Sequence, residues 1–306
     1  MAEVKVLDQK LVQIRKVFNV DDILDLKPDK EYIQKYYRAS RVGYSLFYWG
    51  SDRMYMGISR DGVYKERDLL EAARMVEKYI KKLSAHNVLE LATGRGATSA
   101  YLAQRHPKIR FEGIELSHAQ LSLAKKKSKK LPNYTPVAGD YHDLSRYADD
   151  SIDIVFVIEA LCYSTQKSIV LAEVKRVLKK GGILAVFDGY TTKSRSKMTK
   201  NELLACQLTE KSMALDIFED YRVVMRTAKE KGFSVVYNEN VSDFILPTLR
   251  KFERWAKAYF NRPLTAKASN VVLPKKLAYN TVAGLLMPDV VSQGLLGYYI
   301  TVLKAK

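Results

Sequence analysis

A chain of 306 residues that is 47% apolar can bury a full hydrophobic core, which excludes a disordered or fibrous protein and fits one large domain or a domain with a cap. Two cysteines are too few for a disulfide framework, which favours a reducing, cytoplasmic compartment. The formal net charge of +17 attracts polyanions, an anionic membrane face or an anionic substrate.

Neither a metal site nor a membrane-spanning helix is predicted. Cys162, Cys206 and four scattered histidines show no metal-ligand spacing. The first residues lack the apolar core of a signal peptide. The long apolar stretch at 277–303 is interrupted by polar residues and Pro288, short of the ~20 uninterrupted apolar residues that a span requires.

Residues 1–42 are predicted to form helices, because Leu11, Ile14 and Val17 share one face of a helical repeat. We expect this arm to be free to fold over a ligand. Residues 43–59 follow, where glycines break any regular element. Aromatic side chains in such a segment pack in the core or wall a ligand pocket. They are Tyr44, Phe47, Tyr48, Trp49 and Tyr55.

The stretch 87–98, NVLELATGRGAT, predicts a strand, a tight turn at Gly94 and Gly96, and the start of a helix. Glycines at such a turn permit unusual backbone angles and let a ligand approach the main chain. The free N–H groups of the helix start face the same place, so a ligand is expected there. A dinucleotide is disfavoured, because G-x-G-x-x-G read from Gly94 has Ser99 at its last glycine position, and read from Ala92 it lacks the first glycine.

Helices and strands alternate around this turn. A helix is predicted over 66–83, and strands end near Glu115 and shortly before Asp140. A helix from 118 to 131 should be capped by Ser117. Further strands are SIDIVFVI and, after a stop at Gly181-Gly182, ILAVFDGY. The alternation implies right-handed crossovers and a parallel sheet.

The rest of the chain is predicted to be mainly helical. Residues 191–231 contain no strand, and 244–290 should be helices broken at each proline. Strands are expected at 233–238 and 298–303. The prolines are Pro247, Pro263, Pro274 and Pro288.

The register E-L-A-T-G-R-G from Glu90 resembles the first motif of class I S-adenosylmethionine-dependent methyltransferases, an acidic strand residue followed by x-A-x-G-x-G. The resemblance covers 44–306 and is strongest over 85–190. It implies an α/β fold with a doubly wound, seven-stranded Rossmann-like sheet, an antiparallel last strand and a mostly helical cap. It also implies S-adenosyl-L-methionine as the cofactor.

The resemblance implies a role for each polar residue at the strand ends. Glu115 would hold the ribose, since a carboxylate only accepts hydrogen bonds and suits a vicinal diol. Asp140 would reach the adenine amino group. The implied cofactor-binding residues are Glu90, Ala92, Gly94, Gly96, Glu115, Leu116, Asp140, Tyr141 and Glu159.

Two further segments are similar to sterol C-methyltransferases and to the tocopherol group of small-molecule methyltransferases. FYWGSDRMYMGIS resembles the sterol family's Y-x-W-G-x-S-x-H-F, and VIEALCYS resembles its I-E-A-T-C-H, with Tyr163 at the histidine position. The similarity implies catalytic roles for Glu159, Tyr163 and Tyr48. It implies substrate contacts for Tyr44, Trp49 and Tyr55. The alternative for Glu159 is a helix-capping carboxylate.

Four segments are expected: an N-terminal helical arm with the aromatic substrate segment (1–65), a cofactor-binding core (66–190), a helical cap insertion (191–231), and sheet completion with substrate-side helices (232–306). Asp153 should order the loop before its strand rather than take part in the site.

The predicted function is methyl transfer to a hydrophobic small molecule or lipid, such as an isoprenoid, sterol-like or lipid-derived acceptor, with peripheral contact to an anionic membrane. One alternative is an amine N-methyltransferase. A nucleic-acid methyltransferase fits the charge, but no Asn-Pro-Pro-Tyr motif or RNA-binding module is present. A non-catalytic relative should lack Glu90 and Glu115, and both are present.

Overall fold

A computed structural model describes residues 2–36 and 52–306, so Tyr44, Phe47, Tyr48 and Trp49 lie outside the described residues. Seven strands form one sheet in the order β3-β2-β1-β4-β5-β7-β6. The strands are β1 Asn87–Leu91, β2 Arg110–Glu115, β3 Tyr134–Ala138, β4 Ile152–Ile158, β5 Leu178–Thr191, β6 Phe233–Asn240 and β7 Leu296–Ala305. Only β7 runs antiparallel to its neighbours, β5 and β6. The predicted doubly wound sheet with an antiparallel last strand is confirmed.

Helices cover both faces of the sheet. The first three are α1 Ala2–Arg15, α2 Val20–Leu24 and α3 at 30–36. Those of the core are α4 Glu71–Leu83, α5 Ala97–Arg105, α6 His118–Ser128 and α7 Lys167–Val177. The remainder are α8 Lys200–Ser212, α9 Tyr221–Glu230, α10 Ser242–Phe260, α11 Pro263–Val272 and α12 Lys275–Ser292. Residues 66–70, predicted as the start of a helix, form a 3-10 turn that leads into α4.

The central strands are buried on both faces because helices pack on each side. In β4, residues 154–157 are no more than 1% exposed. This continuous apolar run is typical of a covered parallel strand rather than of a half-solvated one. None of the helices in 2–36 and 52–306 combines the length and apolar character needed to cross a bilayer.

The first helix of the N-terminal arm is packed in the core, so the expectation that the whole arm is free to fold over a ligand is wrong for α1. Leu11, Ile14 and Val17 are buried, as their spacing predicts. Lys10, only 4% exposed, binds Glu253 of α10 at 2.6 Å and also pairs with Asp289 of α12. A buried lysine is tolerated when carboxylates compensate its charge. The arm is thereby fixed to α10 and α12.

Replacing Lys10 with methionine should lower the free energy of unfolding by roughly 2 kcal/mol, because Asp289 loses its partner. The loss stays below that of a fully buried pair, since Glu253 keeps Lys257 at 2.7 Å. Chemical denaturation of the whole protein measures the effect. The matched control is Lys257→Met, which breaks a half-exposed pair within one helix and should change stability by less than about 0.5 kcal/mol. Equal losses would contradict the anchoring role of Lys10.

The prediction of a break at every proline is wrong for two of the four. Pro263 and Pro274 stand at the starts of α11 and α12, where a missing N–H has no intrahelical partner to lose. Pro247 and Pro288 lie inside α10 and α12. An interior proline costs about 3 kcal/mol of helix stability, and burial of the residues around it offsets that here.

Two local predictions also need correction. Strand β5 begins at Leu178 and runs through the glycine pair, rather than after it. A Cβ on Gly182 would lie 2.9 Å from the carbonyl oxygens of Asp153 and Lys179, so the pair allows a close approach of strands. Ser117 does precede α6, but its side chain makes no capping hydrogen bond.

Candidate active site

The turn after β1 lies where the strand order reverses, between β1 and β4. Ala92, Gly94 and Gly96 all have positive φ, at 52°, 55° and 72°. Helix α5 begins directly after Gly96. In open α/β sheets, ligands bind beyond the carboxyl ends of the strands at such a reversal. The glycine turn is therefore at the position where a ligand is expected.

The two glycines have different roles. A Cβ on Gly96 would lie 2.6 Å from Tyr134 Oη and 2.9 Å from Ala124 Cβ, whereas nothing lies within 4 Å of one on Gly94. Gly96 is thus required for packing of the turn against β3 and α6. Gly94 faces open space, where a ligand can approach its backbone.

Changing Gly96 to alanine should lower the free energy of unfolding by about 2 kcal/mol, from left-handed backbone strain plus the contact with Tyr134. Changing Gly94 to alanine adds the same backbone strain but no close contact, so it should lower the free energy of unfolding by about 1 kcal/mol. Paired denaturation curves test the difference. If both variants lose the same stability, the packing role of Gly96 is wrong.

Glu115 is the last residue of β2, the strand beside β1, and it binds the glycine turn that follows β1. Its carboxylate accepts hydrogen bonds from Gly94 N at 2.8 Å and Ser117 N at 2.7 Å. Burial raises its pKa, and these backbone N–H groups oppose the rise. Each oxygen keeps a lone pair for a ligand hydroxyl group.

Glu90 is buried beneath the turn. It accepts hydrogen bonds from the hydroxyls of Thr93 and Ser99, each at 2.6 Å, and burial raises its pKa to about 7. Ser99, the residue at the last glycine position of a dinucleotide motif, therefore binds one oxygen of the carboxyl group together with Thr93. A glycine at that position could not make this bond.

Asp140 lies two residues beyond the end of β3. Burial opposes its ionisation, but an ion pair with Lys30 and bonds from the backbone and ring of His142 outweigh it and lower its pKa to about 2. Lys30 belongs to α3, so the N-terminal arm contributes to this side of the site. Sequence reasoning missed Lys30 because only the fold brings it near Asp140.

A cavity of about 500 Å³ opens above the turn, within the range typical of small-molecule sites. Most of the predicted site residues that the structure describes line it. They are Tyr55, Glu90, Ala92, Gly94, Glu115, Leu116, Asp140, Tyr141, Glu159 and Tyr163. Gly96 lies behind the lining. Pro28, Lys30 and Gln34 of the arm cover one side.

A second cavity of about 390 Å³ lies beside the first and is mainly apolar. Its walls come from α10, α12 and the 213–218 segment, with contributions from Phe252, Met287 and Phe218. Sequence reasoning missed these residues, because helical spacing marks them only as buried. Met54, Glu159 and Tyr163 line both cavities.

Glu159 follows β4 directly and has a φ of 49°, which is strained for a non-glycine residue. Its carboxylate accepts hydrogen bonds from Met56 N at 2.6 Å and from Tyr298 Oη at 2.9 Å. Burial raises its pKa to about 8, although both of these bonds favour ionisation. The helix-cap alternative is wrong, since the next short helix has Ala160 at its start and no side-chain cap.

The fold brings further polar groups close to Glu159 from distant parts of the chain. Tyr298 comes from β7 and Asp188 from the carboxyl half of β5, and both line the apolar cavity. Tyr163 Oη donates to Met213 O at 3.1 Å, which links the site to the 191–231 segment. Asp153 lies at the opposite end of β4, where it accepts bonds from the backbone N–H groups of His86 and Asn87.

The fold is that of the class I methyltransferases, with an antiparallel β7, a glycine turn after β1 and an acidic residue that ends β2. Residues 89–186 match the family model described as Methyltransferase domain, so this part of the chain is a methyltransferase domain. The resemblance found in the sequence is confirmed. Across the described part of the chain, no group of three His, Cys, Asp or Glu side chains is arranged to hold a metal ion.

Similar proteins include sterol methyltransferase-like 1 of Botryococcus braunii, 25% identical over 226 residues, which cover 69% of this chain and 57% of that protein. Phthiotriol/phenolphthiotriol dimycocerosates methyltransferase 1 of Mycobacterium ulcerans is 35% identical over 107 residues, which cover 35% of this chain and 39% of that protein. The match thus spans about half the length of these relatives. The solved structure of a cyclopropane synthase from Mycobacterium tuberculosis has the same fold, with a TM-score of 0.70 and 15% sequence identity. The match covers 92% of this chain and 99% of that one.

Proposed function

We propose that this protein transfers a methyl group from S-adenosyl-L-methionine to a hydrophobic small molecule or lipid. The observation that carries the proposal is the position of Glu159, which lies in the wall shared by the cavity over the glycine turn and the apolar cavity beside it. Two ligands in these cavities meet at one titratable group. That arrangement serves a transfer reaction between them.

The cavity over the glycine turn fits the cofactor. Glu115 offers acceptors to a vicinal diol, and Gly94 leaves the backbone open to a ligand. Asp140, ionised well below neutral pH, can accept from an amino group. Leu116, Tyr141 and Ala92 contribute the remaining predicted contacts.

The apolar cavity fits the acceptor. Met56, Phe252 and Met287 offer no strong hydrogen-bonding side chains, so a lipid-derived or isoprenoid acceptor would be favoured over a water-soluble one. Met213 and Phe218 close one side, which supports a cap role for residues 191–231. The division of the rest of the chain into segments 1–65, 66–190 and 232–306 is also part of this proposal. Tyr48 remains a proposed catalytic residue, and Tyr44 and Trp49 remain proposed substrate contacts.

The cofactor, when bound, supplies an electrophilic methyl group. The chain aligns the two ligands and excludes water, which is the main requirement of an in-line displacement. When an alkene carbon attacks, a cation forms on the acceptor and a proton must leave. Glu159 can take that proton because its raised pKa makes it a stronger base than an ordinary carboxylate. Tyr163, in the wall of both cavities, can face the cation with its ring.

A second candidate, N-methylation of a small amine, is favoured by one observation. Asp188 is 1% exposed and lines the apolar cavity together with Glu159, so the cavity holds two carboxyl groups. An ammonium-bearing acceptor would be attracted there. The bonds that Cys162 N and Gly189 N already donate to Asp188 reduce this attraction.

The test is a methyl-transfer screen with labelled S-adenosylmethionine against sterols, polyprenyl lipids, unsaturated fatty acyl lipids, small amines and bulk RNA. Calorimetry with the cofactor alone measures binding separately. We expect cofactor binding and transfer to at least one hydrophobic acceptor. Transfer to amines only would favour the second candidate. Absence of cofactor binding would overturn the proposal. The proposed peripheral contact with an anionic membrane is measured by vesicle co-sedimentation.

A further inference from the structure

Helix α11 presents its apolar side chains to solvent. Leu264, Val271 and Val272 are 82%, 87% and 86% exposed. At about 100° per residue, these three and Ala268 fall within an arc of roughly 100° on the helix. Ala266, on the opposite side, is 2% exposed and packs toward the protein. An ordinary surface helix has the reverse arrangement, with its apolar face turned inward.

The segment around this helix is strongly basic. Residues 254–276 contain six lysines and arginines and no aspartate or glutamate. Arg254, Lys257, Arg262, Lys267 and Lys275 are exposed. An exposed apolar stripe within a purely cationic segment is the composition of helices that lie in the interface of an anionic bilayer.

The 254–276 segment also contributes to the wall of the apolar cavity. Trp255, 53% exposed, and Leu273, 39% exposed, belong to the 254–276 segment and also line that cavity. An apolar acceptor could therefore pass between a bilayer and the cavity without crossing bulk water.

The geometry points to residues 254–276 as the surface by which this protein docks on an anionic lipid bilayer and takes its hydrophobic acceptor from it. This inference rests on the proposed function, because it assigns the source of the acceptor. A second copy of the chain fits the surface less well, since a symmetric contact would bring two such cationic segments together. A nucleic acid would use the charges but leaves Leu264, Val271 and Val272 without a role.

The experiment is co-sedimentation of the full chain with vesicles of phosphatidylcholine alone or mixed with phosphatidylglycerol. We expect binding to the mixed vesicles only. The apolar variant Leu264→Ser, Val271→Ser, Val272→Ser should lose at least roughly tenfold in partitioning, because these side chains no longer enter the bilayer. The charge variant Arg262→Gln, Lys267→Gln, Lys275→Gln should lose roughly 100-fold at low salt. All six side chains are exposed, so both variants should fold.

Matched controls alter similar residues elsewhere. Val12, Val63 and Val235 are 54%, 61% and 52% exposed, and their change to serine should leave vesicle binding intact. Lys125→Gln, Lys126→Gln, Lys129→Gln removes three exposed charges at the end of α6, the helix that leads into β3 at the opposite edge of the sheet from β6, and should also leave vesicle binding intact.

Three outcomes would overturn the inference: no binding to either vesicle, control variants that lose as much as the α11 variants, or an apolar variant that binds as well as the unchanged protein. Preferential binding to single-stranded RNA, or a dimer that depends on the stripe without vesicle binding, would also overturn it. Cofactor affinity and transfer to detergent-dispersed acceptor are measured on the same samples. Intact values there, with no vesicle binding, would reject only the docking surface and leave the proposed function standing.

Discussion

Changing Glu159 to glutamine should lower kcat/KM for a carbon acceptor by about 10²- to 10⁴-fold, the range of general base catalysis. Glutamine keeps the size of the side chain and can still accept from Met56 N or Tyr298 Oη. Cofactor affinity should change little. The loss therefore isolates proton removal from binding.

The pH dependence gives an independent measurement. With a pKa of about 8, Glu159 is mostly protonated at pH 7, so kcat/KM should rise as the pH increases and level off above 8. Changing Tyr298 to phenylalanine removes a bond that favours the carboxylate, so the rise should shift to higher pH. Asp153→Asn, at the other end of β4, is the control and should leave the profile unchanged.

The same pKa affects stability with a definite sign. Because the folded pKa lies above the ordinary value of 4.5, Glu159 stabilises the fold at low pH, and this contribution is lost as the pH rises through about 8. The glutamine variant should therefore gain stability relative to the unchanged protein as the pH rises from 4.5 to about 8, and keep that gain above 8. An unchanged rate in Glu159→Gln, with normal binding of both ligands, would contradict a base role and favour an acceptor that needs no proton removal.

Changing Glu115 to glutamine should weaken binding of S-adenosylmethionine by about 2 to 3 kcal/mol, or roughly 30- to 150-fold in Kd. The variant loses a charged acceptor for the ribose. It also places an amide NH₂ group opposite a backbone N–H of the turn, either that of Gly94 or that of Ser117. Isothermal titration of the cofactor measures the loss.

The matched control is Glu112→Gln in the same strand. Glu112 is also buried, at 6% exposure, but it pairs with Arg110 and does not line the cavity. This control should retain cofactor affinity even if it is less stable. If Glu115→Gln binds the cofactor as well as the unchanged protein does, Glu115 is not a ribose ligand.

The sequence by itself determined the sheet and the turn, because both are encoded by local pattern. Short apolar runs alternate with helical repeats in the order of the class I fold. The turn needs a positive φ at residue 94, and glycine adopts that angle without strain. Glu115 and Asp140 could be placed at the site because the carboxyl ends of parallel strands meet at one edge. Glu159 could be placed for the same reason.

The tertiary structure alone decided the apolar cavity and the partners of the carboxyl groups. Tyr298 binds Glu159 although the two residues are 139 positions apart, and Lys30 reaches Asp140 from a helix whose place beside the sheet is not predicted by local pattern. Local sequence also failed to predict that α10 and α12 continue through Pro247 and Pro288, because packing outweighs the tendency of proline to end a helix. Helical spacing reveals that a residue is buried but not whether it faces the core or a cavity. Only the packing of α10 against α12 makes that distinction.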